Sequence, residues 1–142
     1  MTTEFVIRRV LHAPRQLVFD CLTKPENLTH FWGPVGTTTP IEHITVDLRP
    51  GGAFETVMVN DATGERYATR GVFTEIDPPK TIVWRDLDNG MISTTTLTEL
   101  EDRRTELRIR QAEAPDAFGT AEARAGFGTS LDRLADYLAT LA

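Results

Sequence analysis

Side chains able to carry out acid–base or nucleophilic chemistry are thinly scattered along these 142 residues. Cys21, Ser93 and Ser130 are the nucleophile candidates, and none lies in the G-x-S-x-G setting that lifts a serine out of a strand-to-helix turn. The histidines, His12, His30 and His43, fall in a strand end, a short helix and a loop or strand, without H-x-x-x-H or H-E-x-x-H spacing. No catalytic triad is suggested, and no metal site is expected. His30, just before Phe31-Trp32, is placed to act as a general acid or base, with a surface or capping histidine as the simpler reading. Glu55, Glu75, Asp86 and Glu99 lie on expected strands; proton transfer needs only one or two carboxylates in a dry pocket, but most of these should face solvent. Pro50-Gly51-Gly52 opens a strand rather than a helix, so it lacks the helix N-terminus that phosphate loops use. No catalytic residue and no cofactor is assigned.

A second set of residues points to binding. Thr56, Thr95 and Gln111 occupy inward positions among apolar neighbours, and an unpaired buried polar group costs about 1–3 kcal/mol. A closed core rarely contains three, so they favour a wet or ligand-holding cavity. Pockets for small molecules are mostly apolar, with a few polar groups fixing orientation. The candidate ligand-binding set is therefore Trp32, Phe54, Thr56, Met58, Trp84, Thr95, Leu97, Gln111, Phe118, Ala123 and Phe127. A filled core is the competing reading, because an apolar face packs equally on protein or ligand and a one-residue slip inverts a strand.

These side chains must be positioned by strands and helices that the periodicity marks. Residues 5–12, rich in β-formers and closed by Ala13-Pro14, read as an opening strand. From Pro14, taken as the first helical residue, Leu17, Val18, Cys21 and Leu22 recur at helical spacing. Thr23-Lys24-Pro25 starts a second short helix, running through Glu26, Leu28 and Phe31-Trp32 to a stop at Gly33-Pro34. Ile44, Val46 and Leu48 then alternate as a strand. Arg49-Pro50-Gly51-Gly52 has the residues of a type II turn, with Gly51 at the positive-φ position. The runs 53–59, 66–76, 81–86, 91–100 and 105–111 follow, with connections too short for parallel neighbours. A final helix is expected over 116–141, with Ala123, Phe127, Leu131, Leu134, Leu138 and Leu141 on one side, and with Gly126 and Gly128 suited to a close approach.

Bulk properties exclude several classes. A formal charge of −6 disfavours nucleic acid, and the pairs Arg8-Arg9 and Arg103-Arg104 read as solvated strand and turn positions. No apolar run approaches a membrane span and no secretory signal is evident, so a cytoplasmic protein is expected. The single cysteine, Cys21, cannot form an internal disulfide and reads as a buried apolar residue. The expectation is one α+β domain over residues 1–142, with a long antiparallel meander and a C-terminal helix.

The element order resembles the helix-grip fold of START-like, or SRPBCC, domains. Ala13-Pro14 with Val18-Phe19, Pro25-Glu26 leading to Phe31-Trp32-Gly33-Pro34, residues 47–54, residues 71–79 and Gly126-Phe127-Gly128-Thr129-Ser130-Leu131 are similar to the family named for activator of heat-shock protein 90 ATPase homologues. Phe127 stands where that family often has Trp. The resemblance implies a curved seven-stranded antiparallel sheet wrapped around the last helix, with two short helices between strands 1 and 2. It also implies binding of a small apolar or amphipathic molecule in an internal cavity. The alternatives are a chaperone-associated interaction module, which this chain does little to support, and a small cyclase, dehydratase or hydrolase. A homodimer is plausible.

Overall fold

Alternation of apolar and polar residues gives each long strand one face for the interior, and the sheet is assembled from those faces. The computed structural model describes residues 1–141. Its strands are β1 (Thr2–Leu11), β2 (Thr37–Thr38), β3 (Thr45–Val46), β4 (Ala53–Asn60), β5 (Arg66–Asp77), β6 (Thr81–Asp86), β7 (Ile92–Glu99) and β8 (Thr105–Pro115). They form one antiparallel sheet in the order β1-β8-β7-β6-β5-β4-β2, with β3 also paired to β4. Helices α1 (Arg15–Thr23) and α2 (Pro25–Leu28) lie between β1 and β2, and α3 (Ala121–Leu141) follows β8. The fold is α+β and helix-grip-like. Among the described residues, no helix is long and apolar enough to cross a membrane.

Local chemistry explains where the elements depart from periodicity. The strand expected at 44–48 shrinks to β3, because Arg49 N–H turns back onto the Asp47 carbonyl (2.8 Å) and leaves Leu48 exposed. β2, only two residues long, carries no period to read. Together with β3 it makes the sheet eight-stranded. Pro14 is the N-cap of α1 rather than its first residue, with extended backbone (ψ 149°), whereas Pro25 does open α2. That second helix stops at Leu28; Phe31 and Trp32 lie in the turn beyond, their amides donating to the Leu28 carbonyl. The final helix begins five residues later than expected, at Ala121 instead of Asp116. Residues Asp116–Gly119 form a separate 3₁₀ turn, and Thr120 Oγ1 accepts the Ala123 N–H (3.1 Å) as a helix cap.

The ladder lines up inward-facing side chains in rows. One row runs Phe5, Gln111, Ser93, Trp84, Phe73 across β1, β8, β7, β6 and β5; the next runs Ile7, Ile109, Thr95, Ile82, Ile76. At one end of the first row the aromatics meet. The Phe54 ring stands 5.3 Å from Trp32, 5.4 Å from Phe73 and 5.1 Å from Trp84. Gly71 makes room for this cluster, since a Cβ there would fall 2.6 Å from Trp84 Cε3. Leu131, Leu134 and Leu138 of α3 complete the core together with Val18, Phe19, Leu28 and Phe31, while Leu141, expected on the same stripe, is exposed. Of the two helix glycines, only Gly128 admits a close neighbour. A Cβ there would lie 2.8 Å from Arg9 Nη2, whereas the nearest atom at Gly126 is an ordinary 3.9 Å away. Arg9 is half-buried as a residue, unlike its exposed neighbour Arg8, but its side chain keeps 39% exposure and its guanidinium stays solvated.

Cys21 is fully buried, and burial pushes its thiol up to about 11, with the Asp20 carboxylate adding to the effect. An ordinary thiol ionises near pH ~8.5. Above that value the unfolded chain gains a charge that the folded chain resists until about 11, so stability should fall across this window. Urea unfolding at stepped alkaline pH checks this, with Cys21→Ala expected to flatten the slope. Tyr137, pushed upward by burial, and Tyr67, pushed upward by its hydrogen bond to Glu65, act in the same direction at higher pH.

Candidate functional site

The buried residues of α3 begin only at Gly128 and continue with Leu131, Leu134 and Leu138. The first two turns, 121–127, with Ala123 and Phe127 only half-buried, leave space above the β1–β8 edge of the sheet. That space is a cleft of about 560 Å³, open to solvent and lined by Phe5, Pro34, Gln111, Ala117, Phe118, Thr120, Glu122, Ala123, Gly126 and Phe127. Its size lies within the ~300–1,000 Å³ usual for small-molecule sites.

Each wall has a physical support. The Pro34 wall is tied to the rest of α3: Arg133 Nη1 donates to the carbonyls of Gly33 (2.9 Å), Pro34 (3.2 Å) and Thr37 (3.2 Å). Ser130 Oγ donates to the Phe31 carbonyl (2.8 Å), and Thr129 Oγ1 accepts the Val35 N–H (3.0 Å). The Phe118 wall belongs to the 3₁₀ turn, which presses on β1 so closely that a Cβ on Gly119 would meet Thr3 Cγ2 at 2.6 Å. The floor is the end of the row that begins Phe5, Gln111, Ser93.

Gln111 is 6% exposed and lines the cleft; its side chain makes no hydrogen bond to the other described residues, and its amide is not sealed from solvent as Thr56 Oγ1 is. Its neighbour across the ladder, Ser93, is buried as well. Thr95 and Thr56, also read as inward from alternation, are buried, 8% and 1% exposed. Thr56 Oγ1 is enclosed without any partner. A hydroxyl in that position costs more than it returns, so Thr56→Val, which keeps the shape, should raise stability by about 1 kcal/mol in urea unfolding.

The cleft gathers Gln111, Phe118, Ala123 and Phe127 from the expected binding set. Trp32, Phe54 and Trp84 meet in the aromatic cluster instead, while Thr56, Thr95 and Leu97 lie buried elsewhere on the inner face. Half-buried Met58 sits against Gly33, where a Cβ would come within 2.8 Å of its sulfur. Phe5, Pro34, Thr120 and Glu122 line the cleft without having been singled out in the sequence. Phe5 was accessible from its alternation with Ile7 and Leu11. Pro34 reads only as a helix stop, and Thr120 and Glu122 were hidden inside an apparently unbroken helix.

The acid–base candidates lie elsewhere. His30 is exposed and stacks on Tyr137, with ring centres 4.5 Å apart, rather than lining the cleft. Glu55, Glu75 and Glu99 are exposed, but Asp86 is buried and accepts the amides of Asp88 (2.8 Å) and Asn89 (3.2 Å), capping the turn between β6 and β7. The described residues contain no group of three His, Cys, Asp or Glu arranged to hold a metal ion. A second groove, about 460 Å³ and also open, runs along β1 and is lined by Val6, Ile7, Arg8, Arg9, Ala121, Arg124 and Ala125. Its arginines contrast with the cleft, whose one ionisable lining residue is Glu122.

Comparison with known proteins places the whole arrangement in context. The family described as Activator of Hsp90 ATPase homolog 1-like protein matches residues 12–139. Protein CV1439 from Chromobacterium violaceum is similar in structure, with a TM-score of 0.87 and 30% identity over 94% of this chain and 96% of that one. Protein NE0264 from Nitrosomonas europaea has a TM-score of 0.82 and 26% identity over 96% of this chain and 94% of that one. The AHSA1 (SPO3351) protein from Silicibacter pomeroyi shares the fold, with a TM-score of 0.81 and 23% identity over 99% and 100% of the two chains. No curated protein matches significantly.

Proposed function

We propose that this chain, which belongs to the family of activator of Hsp90 ATPase homolog 1-like proteins, holds a small apolar or amphipathic molecule in the cleft beneath the first turns of α3. The observation that carries this reading is the unfilled space itself. Phe5, Phe118 and Phe127 border it, and Gln111, a largely buried residue whose side chain makes no hydrogen bond to the other described residues, lines it. Aromatic walls with a few polar residues, Gln111, Thr120 and Glu122, match the usual composition of ligand sites. The family's name refers to a chaperone ATPase, but the features of the cleft fit a small guest. A lone, buried cysteine suits a cytoplasmic setting.

Titration with the neutral fluorescent probe N-phenyl-1-naphthylamine tests the reading. Saturable enhancement is expected for the wild type, and its loss in Ala123→Trp, which fills the cleft from its half-buried helical wall. Thermal stability of the variant should be close to that of the wild type. No saturable binding, or undiminished binding in a folded Ala123→Trp protein, would remove the cleft as the site.

A further inference from the structure

We infer that the guest is uncharged at its buried end and presents a hydrogen-bond donor and acceptor side by side, as a carboxamide, urea or lactam does. This rests on the cleft being the binding site and goes on to name the class of molecule it takes. Gln111 carries the argument. A primary amide offers a carbonyl acceptor and an N–H₂ donor in one plane, so its natural complement is another amide-like edge. At 6% exposure, and without a protein partner among the described residues, it leaves both capacities free toward the cleft. The buried Ser93, next in the ladder row, adds only another neutral group nearby.

Charge is handled differently on the two sides of the helix. Arg8, Arg9 and Arg124 line the groove along β1, whereas none of them lines the cleft. Arg9 is directed toward Asp132 (3.9 Å), and the Arg124 guanidinium stands 5.8 Å from the centre of the Phe5 ring. A carboxylate lowered to Gln111 would lose its hydration without gaining a cationic lining residue. Burying a charge without a partner is far more costly than burying an amide that finds its hydrogen bonds. The carboxylate of Glu122, on exposed helix surface, opposes an anion further. An ammonium gains attraction from that carboxylate only at the exposed rim; at the floor Gln111 supplies only one carbonyl oxygen for its several donors.

Competition against bound N-phenyl-1-naphthylamine distinguishes these heads on a constant body. 4-Phenylbutanamide, 4-phenylbutanoate and 4-phenylbutylamine would be compared at neutral pH, with wild type, Gln111→Leu and Gln111→Glu. The amide is expected to displace the probe from the wild type at about one-tenth the concentration needed for either charged analogue. Gln111→Leu should erase that margin, and Gln111→Glu should transfer the preference to the amine. If the carboxylate or amine competes as well as the amide on the wild type, the assignment of ligand class is overturned while the cleft stands. The same holds if the amide's margin survives Gln111→Leu. Failure of the naphthylamine itself to bind tells against the cleft, and the class assignment falls with it. The wild-type series is decisive even if a variant does not fold.

Discussion

Phe54→Ala should cost about 3–5 kcal/mol, the largest loss expected from a single side chain here. The ring is 3% exposed and is shared by three other aromatics, Trp32 from the turn after α2, Phe73 from β5 and Trp84 from β6. Removing it leaves a cavity bounded by large, stiff groups that cannot collapse together. Trp84 is already fixed against the bare backbone of Gly71, and Trp32 is held by Thr39, whose Oγ1 donates to the Trp32 carbonyl (2.8 Å). Edge and tilted contacts also disappear, each worth about 0.5–1.5 kcal/mol beyond the area buried. Phe54→Leu, which keeps much of the volume, should lose less than half as much. Urea unfolding followed by tryptophan fluorescence reads both variants. A loss below about 1.5 kcal/mol for alanine would show that the cluster is not a packed unit.

Gly52→Ala is the second large effect, about 3 kcal/mol or more, and its cause is backbone rather than side chain. A Cβ there would fall 1.9 Å from the Asp47 carbonyl oxygen and 3.0 Å from that of Arg49. No rotamer change relieves such a clash. The chain would have to shift at a point where Gly52 N–H donates to Arg49 (2.8 Å) and the Gly52 carbonyl accepts from Phe73 (2.9 Å). Both the turn and the join between β3, β4 and β5 would loosen together. The adjacent Gly51 has positive φ (86°) but open space around it, so Gly51→Ala should cost only about 1 kcal/mol. Equilibrium unfolding of the pair gives the ranking, and a greater loss at Gly51 would contradict it.

The contrast between these glycines shows what a sequence reveals. Gly51 was legible because a type II turn demands positive φ at its third residue, a rule of local chemistry. Gly52 was not, because its constraint comes from a carbonyl five residues earlier that only the folded turn brings near. The long strands were similarly readable: alternation alone set Phe54, Thr56, Ile82, Trp84, Thr95, Leu97 and Gln111 inward, and all are buried. Periodicity had nothing to say about β2, which is paired through Thr37 and Thr38 alone. It also ran through the break at Gly119-Thr120, since a 3₁₀ turn and an α-helix share apolar spacing over so short a stretch. That break sets Phe118 and Thr120 at the cleft. The inward direction of a side chain was thus accessible from sequence, whereas the difference between facing a neighbour and facing empty space depends on how far a helix stands from a sheet.

The pairing of β1 with β8 has a consequence for how the chain reaches this state. β4 to β8 can zip together through successive local hairpins, each a short loop closure. β1 has no such neighbour: Leu11 pairs with Thr105, and the buried Thr105 Oγ1 fastens the same corner by donating to the Ala13 carbonyl (2.7 Å). During synthesis the first strand to emerge must wait for the last. Until then Phe5, Ile7 and Leu11 have no sheet to cover them, and the period of greatest exposure to aggregation is the interval before that long-range closure.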